Sequence, residues 1–298
     1  MLNALGSAAA ALGLLPDERA IILHADDVGM CHATIPAFRE LAESGSLSSA
    51  SVMVPCPWFG EVARYCKKNP AVDVGVHLTL TSEWAGYRWA AISTVDVRSG
   101  LVDEGGFLHS LRSQALKCAS PEAVYVEMRA QLTRARAAGI DVTHLDAHMF
   151  TALGHPLTEG YLRLGIEESL PSLAWREGTV GIENVPEITA AIRRAETRGL
   201  LTLDRVKLLP SGEPHRREHQ FRAIIDSLPP GLTHLLIHPS IDTPELRQIV
   251  PAWRERVADY EFFRGKGAIQ YLERAGVRVV GYRALRDALR RLRTNARA

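Results

Sequence analysis

The stretch Ile21-Ile22-Leu23-His24-Ala25-Asp26-Asp27-Val28-Gly29 constrains the fold more than any other. An apolar run, Ala20 to Leu23, stops at two adjacent carboxylates and a glycine. That is the pattern of a buried parallel strand at its C-terminal end, where the active sites of α/β proteins collect. Carboxylates side by side repel each other, and a divalent cation is the usual compensation. In the competing reading Asp27 caps a helix beginning near Cys31, and Asp26 is merely solvated.

Similar units recur. Strand patterns cover 20–25, 48–54, 72–80, 142–146, 174–175, 200–208, 232–237 and 277–281; helical patterns cover 33–43, 59–68, 121–138, 157–167, 187–197, 215–227, 261–275 and 283–293. Alternating strands and helices predict a parallel sheet covered by helices. No GxGxxG follows the first strand, and polar residues end four different strands, so a distorted TIM-like (β/α) barrel is expected rather than an open dinucleotide-binding sheet. No composition shift divides residues 1–298, which read as one domain with an N-terminal helix over 1–16 and an inserted aromatic loop over 81–119. The helix rests on Leu2, Leu5, Ala9, Leu12 and Leu15, near helical spacing, and its apolar face favours a homodimer.

With 46% hydrophobic and 23% charged residues the chain suits a soluble globular body. Lys+Arg 35 against Asp+Glu 34 gives no electrostatic case for nucleic acid or an acidic membrane. No apolar run is long enough to span a bilayer. Cys31, Cys56, Cys66 and Cys118 show no CxxC spacing and read as free thiols of a reducing compartment. The N-terminal segment lacks a basic start and a cleavage site, so cytoplasmic residence is expected.

Thr143-His144-Leu145-Asp146-Ala147-His148 is the second informative stretch. On a strand, His144, Asp146 and His148 share a face. Three titratable groups there are costly unless they surround a site. His77 ends the third strand and His238, before Pro239, ends a later one. Neutral imidazoles with a carboxylate are how catalytic Zn²⁺ and mononuclear iron are held. The loop Glu83-Trp84-Ala85-Gly86-Tyr87-Arg88-Trp89 admits two readings: aromatic platforms and an arginine for a sugar, or a loop pinned by its own aromatics. His109, His155, His215 and His219 read as solvated.

His24-Ala25-Asp26-Asp27-Val28-Gly29, Gly75-Val76-His77-Leu78-Thr79-Leu80-Thr81, Thr143 to His148 and Ile237-His238-Pro239 occur in this order. Together they resemble the YdjC-like (ChbG/HpnK-type) carbohydrate deacetylases over residues 20–285. The resemblance implies a distorted barrel, a divalent metal (Mg²⁺ or Zn²⁺) and removal of an N-acetyl group from an amino sugar. It implies Asp27, His77 and His148 as metal ligands and Asp26 as the base toward metal-bound water. His238 is the candidate proton donor to the leaving amine. Trp84, Tyr87, Arg88, Trp89, His144 and Asp146 are the candidate substrate contacts. The third motif continues Met149-Phe150-Thr151, where relatives acting on acetylated chitin disaccharides often carry further histidines, so that substrate does not transfer. The alternatives are a metal-independent glycoside hydrolase using Asp26 and Asp146, and a sugar- or metal-binding barrel without catalysis.

Overall fold

The computed structural model describes residues 6–177 and 186–295. Eight parallel strands form one sheet: β1 (Arg19–Val28), β2 (Ser49–Val52), β3 (Val74–Leu78), β4 (Leu145–Ala147), β5 (Trp175–Glu177), β6 (Leu203–Leu208), β7 (Gly231–Ile237) and β8 (Val277–Val279). Their order is β4-β3-β2-β1-β7-β6-β5, with β8 on β1. The two ends curl together where Leu145 bridges Ser172. Leu145 N–H donates to Pro171 O at 2.9 Å, and Leu173 N–H to Leu145 O at 2.8 Å. The Tyr161 hydroxyl, 3.0 Å from Leu145 O and 3.2 Å from Leu173 O, fastens the joint. This is the expected distorted (β/α) barrel.

β1 is the keystone. Ala20 to Ala25 are buried, which is why the sequence there is almost wholly apolar. One edge of β1 pairs with β7 along its length. The other edge is shared: Arg19 to Ile21 pair with β8, and β2 takes over from His24. That sharing is the distortion.

The covering helices are α1 (Ala8–Ala11), α2 (Thr34–Glu43), α3 (Phe59–Lys68), α4 (Arg112–Cys118), α5 (Pro121–Ala137), α6 (Thr158–Glu168), α7 (Pro186–Thr197), α8 (Arg217–Asp226), α9 (Pro244–Ile249), α10 (Trp253–Phe263), α11 (Gly267–Arg274) and α12 (Tyr282–Asn295). The longest, α5, carries each end signal: a Ser120 cap, Pro121 at its start, Glu122 in the first turn, and Arg134 and Arg136 in the last. Among the described residues no helix is long and apolar enough to cross a membrane.

Three expectations need correction. Of the N-terminal helix, residues 1–5 lie outside the described residues, and only Ala8–Ala11 of the remainder is α-helical. Ala8 N–H donates to Thr202 O, so this turn is used against the chain's own β6 edge. The helix expected over 261–275 is two, α10 and α11, parted around Gly265 and Gly267, poor helix formers. The insertion over 81–119 is not all loop, because α4 lies within it.

Candidate metal centre and active site

Asp26 and Asp27 reach one cavity because β1 is irregular. Ala25 pairs with Ala50 and Val28 with Val52, so three steps along β1 match two along β2. In a regular strand neighbouring side chains point to opposite faces. The bulge, with Asp27 at φ 62°, brings both carboxylates to the cavity wall. Asp27 caps no helix: its oxygens are taken by His77, His148 and Arg256, and α2 has no side-chain cap.

One oxygen of Asp27 serves two imidazoles. His77 Nε2 lies 3.2 Å and His148 Nδ1 3.1 Å from Asp27 Oδ1. The other oxygen, Oδ2, accepts from Arg256 Nη2 at 2.6 Å. Each imidazole meets a second carboxylate with its remaining nitrogen: His77 Nδ1 lies 2.8 Å from Asp146 Oδ1, and His148 Nε2 lies 3.0 and 3.1 Å from the Glu83 oxygens. Metal-binding histidines are oriented in this way, which fixes the nitrogen offered to the ion.

Burial opposes charge on His148, yet Glu83 and Asp27 raise its pKa to about 9. Asp146 and Asp26 likewise overcome burial and lift His77 well above its ordinary 6.5. Against the same burial, Arg256 and His148 hold Asp27 well below the carboxylate range. The arrangement thus favours positive charge between the imidazoles and the carboxylates, and a divalent cation would supply it. Asp27, His77 and His148 each bring a donor atom within 4.8 Å of the other two, so the residues fit such an ion.

Asp26 stays partly accessible, its side chain 11% exposed. Its Oδ1 lies 3.2 Å from His24 Nε2, while Oδ2 lies 4.0 Å from His77 Nε2 and 3.9 Å from His238 Nε2. His238 follows β7, and its side chain is 32% exposed into the cavity. The His238 backbone N–H donates to Asp259 Oδ2 at 3.0 Å, and Arg217 Nε holds the other Asp259 oxygen at 2.8 Å. Burial, then Arg256, lowers the His238 pKa.

The cavity measures about 650 Å³, with Trp84, Phe150, Leu208 and Leu209 among its apolar lining. Beyond His148 the chain turns through two left-handed residues, Met149 at φ 53° and Phe150 at φ 51°, which carry both side chains to the rim. Of the expected substrate contacts, Trp84 lines this cavity. Tyr87 borders a neighbouring cleft, its hydroxyl donating to Met30 O at 2.7 Å.

The remaining four do not line the cavity. Arg88 is committed to Asp103 at 2.8 Å and to the Leu108 carbonyl, and Trp89 is buried with Nε1–H on Thr81 O at 2.8 Å. Both hold the inserted segment together. His144 and Asp146 are buried below the aspartates, His144 stacked on Tyr282 at 3.8 Å and Asp146 engaged by His77 and His24. His109, expected in solvent, is half-buried with Nε2 at 2.9 Å from Gly100 O. His155, His215 and His219 are exposed as expected.

Glu83, Arg256 and Asp259 were not singled out in the sequence. Glu83 had a signal, its place immediately beyond Thr81-Ser82 at the end of the His77 segment. Arg256 and Asp259, one turn apart on α10, lie outside the helical patterns read in the sequence, the nearest of which begins at 261.

Known proteins are similar to this chain. A carbohydrate deacetylase of Thermus thermophilus is 34% identical over 254 residues, covering 83% of this chain and 86% of that protein. A carbohydrate deacetylase of Thermoanaerobacter pseudethanolicus is 23% identical over 266 residues, covering 89% and 99%. Among solved structures, a putative cellobiose-phosphate cleavage protein of Enterococcus faecalis superposes with a TM-score of 0.74 at 22% identity, over 90% of this chain and 99% of that one, and shares the fold. Residues 20–274 match the YdjC-like protein family, and the chain belongs to it.

Proposed function

We propose that this chain hydrolyses the N-acetyl group of an amino sugar or its oligosaccharide. The observation that carries the reading is the pair of imidazoles on one Asp27 oxygen, each backed by its own carboxylate, with Asp26 beside them. The two carbohydrate deacetylases similar to this chain support the substrate class.

A divalent cation on Asp27, His77 and His148, Mg²⁺ or Zn²⁺, would lower the pKa of water and polarise the acetyl carbonyl. Two imidazoles in the donor set favour Zn²⁺ of the two. Asp26 Oδ2 faces the cavity and takes the proton of the attacking water. His238 Nε2 returns a proton to the departing nitrogen. Kept neutral at rest, His238 must collect that proton during the reaction, and Asp26 is the source. Trp84 offers its face to the apolar side of the sugar ring. The unpaired cysteines fit a cytoplasmic setting.

A glycoside hydrolase using Asp26 and Asp146 would need both carboxylates at the scissile bond. Asp146 is 1% exposed and bound to His77 and His24, which disfavours that reading.

The test is acetate release from a panel of N-acetylated mono- and oligosaccharides, with chelator and with metal restored. Acetate that appears only with metal supports the reading. New reducing ends without acetate, indifferent to chelator, replace it with the glycosidase. Silence across the panel with a sugar still bound points to the binding barrel.

A further inference from the structure

Below Asp26 the barrel core holds a second group of titratable side chains, of which the proposed reaction uses only the Asp146 oxygen on His77. His24, His144 and His234 are 0% exposed and Asp146 is 1% exposed. His24 Nε2 lies 2.9 Å from Asp146 Oδ2 and 3.2 Å from Asp26 Oδ1. His144 Nε2 lies 4.0 Å from the same Asp146 oxygen. His234 brings a donor atom within 4.8 Å of donors on His24 and Asp26. Asp26 Oδ1, Asp146 Oδ2, His144 Nε2 and His234 Nε2 are all buried, and none makes a hydrogen bond of good geometry.

The proton positions sharpen the problem. The Thr143 hydroxyl donates to the Asp73 carboxylate, so its oxygen accepts from His144 Nδ1–H at 2.9 Å. His144 Nδ1 is therefore taken up by Thr143, and its Nε2, a lone pair in the neutral ring, has no hydrogen-bond partner. That lone pair looks toward Asp146 Oδ2, a second acceptor. Two acceptors facing each other in a dry core are unfavourable without a positive centre between them. The ring has no room to turn aside. It stacks on Tyr282 with 15° between planes and lies over Gly75, where a Cβ would stand 2.5 Å from His144 Cε1.

We propose that His24, His144 and Asp146 bind a second divalent cation in the barrel core, with His234 and Asp26 Oδ1 at its margin. Imidazoles joined by a carboxylate suit Zn²⁺, Co²⁺ or Fe²⁺ rather than Mg²⁺. The site shares no ligand with Asp27, His77 and His148. Asp146 joins the two, one oxygen on His77 and the other in the core.

The experiment is metal analysis of the dialysed full-length protein, followed by an anomalous difference map from crystals grown with Zn²⁺. The expected result is about two ions per chain, with one peak at Asp27 and one within bonding distance of His24, His144 and Asp146. His144→Gln should remove the deeper peak and spare the other. A single ion at Asp27, with ordinary water density in the core, overturns the proposal. If His144→Gln does not fold, the wild-type map decides alone. A core peak without one at Asp27 would sustain this site and remove the metal from the proposed reaction, so the two readings fail separately.

Discussion

His77 and Asp146 are register partners on neighbouring strands, and their side chains meet Nδ1 to Oδ1 at 2.8 Å. The contact settles which nitrogen His77 turns toward Asp27. Asp146→Asn keeps the shape but weakens that orienting bond. Metal affinity at the Asp27 centre should fall by about 10- to 100-fold with all three ligands intact. Competition with a chromophoric chelator measures it, and unchanged affinity would show that Asp146 orients nothing.

Asp26→Asn addresses chemistry rather than binding. Asp26 is outside the Asp27, His77 and His148 set, so the ion there should be retained while turnover falls by about 100-fold or more. Metal content and acetate release, measured on one preparation, give the answer. Full activity in the variant would return the role of base to another group.

Gly75→Ala tests how tightly the core is filled. The new Cβ would meet His144 ring atoms at 2.5 to 2.6 Å, and Tyr282 blocks retreat. Overpacking of this kind costs about 1–3 kcal/mol. Gly60, in α3 with nothing within 4 Å of its Cβ position, is the control, where alanine should be neutral or stabilise by up to about 1 kcal/mol. Urea midpoints for the two variants should move in these different senses. Equal midpoints would mean that the space under His144 is larger than the structure shows.

Stripped of metal, the chain should lose stability as pH rises. Burial opposes charge on His24, but Asp146 and Asp26 lift its pKa from 6.5 to about 9. A folded-state pKa above the unfolded one means the folded chain holds the extra proton. The stabilisation is complete below pH 6.5 and disappears as pH climbs through about 9. A shift of this size corresponds to roughly 3 kcal/mol. Denaturation in chelator from pH 6 to 10 should show the decline, and His24→Gln should make it shallower, with His148 and His77 keeping their share. A wild-type midpoint that climbs over this range would contradict the assignment.

Much of this was readable in the sequence, for a local reason. β1, β3 and β7 are buried parallel strands, and each apolar run ends on the group it delivers: Asp26 and Asp27, His77, or His238. The bulge was not readable, because an extra residue in β1 exists only relative to β2. Strand periodicity joined His144 with Asp146 and His148 but is silent about depth, so two residues of the barrel floor were taken for residues of its mouth. Arg88 and Trp89 were ambiguous for a different cause. Asp103 and the Thr81 carbonyl, which claim them, carry no mark in sequence. Arg256 meets Asp27 from 229 residues away, beyond any local pattern.

Tyr282, the first residue of α12, forms the bed on which His144 lies, and its hydroxyl sits 3.0 Å from His234 Nδ1. In chain order Asp27, His77 and His148 all precede both Tyr282 and β8. Without Tyr282 beneath them and β8 along the base of β1, the strands that carry these groups lack their footing. Assembly of the centre therefore waits until α12 has been made, and a nascent chain holds its ligands long before it holds a site.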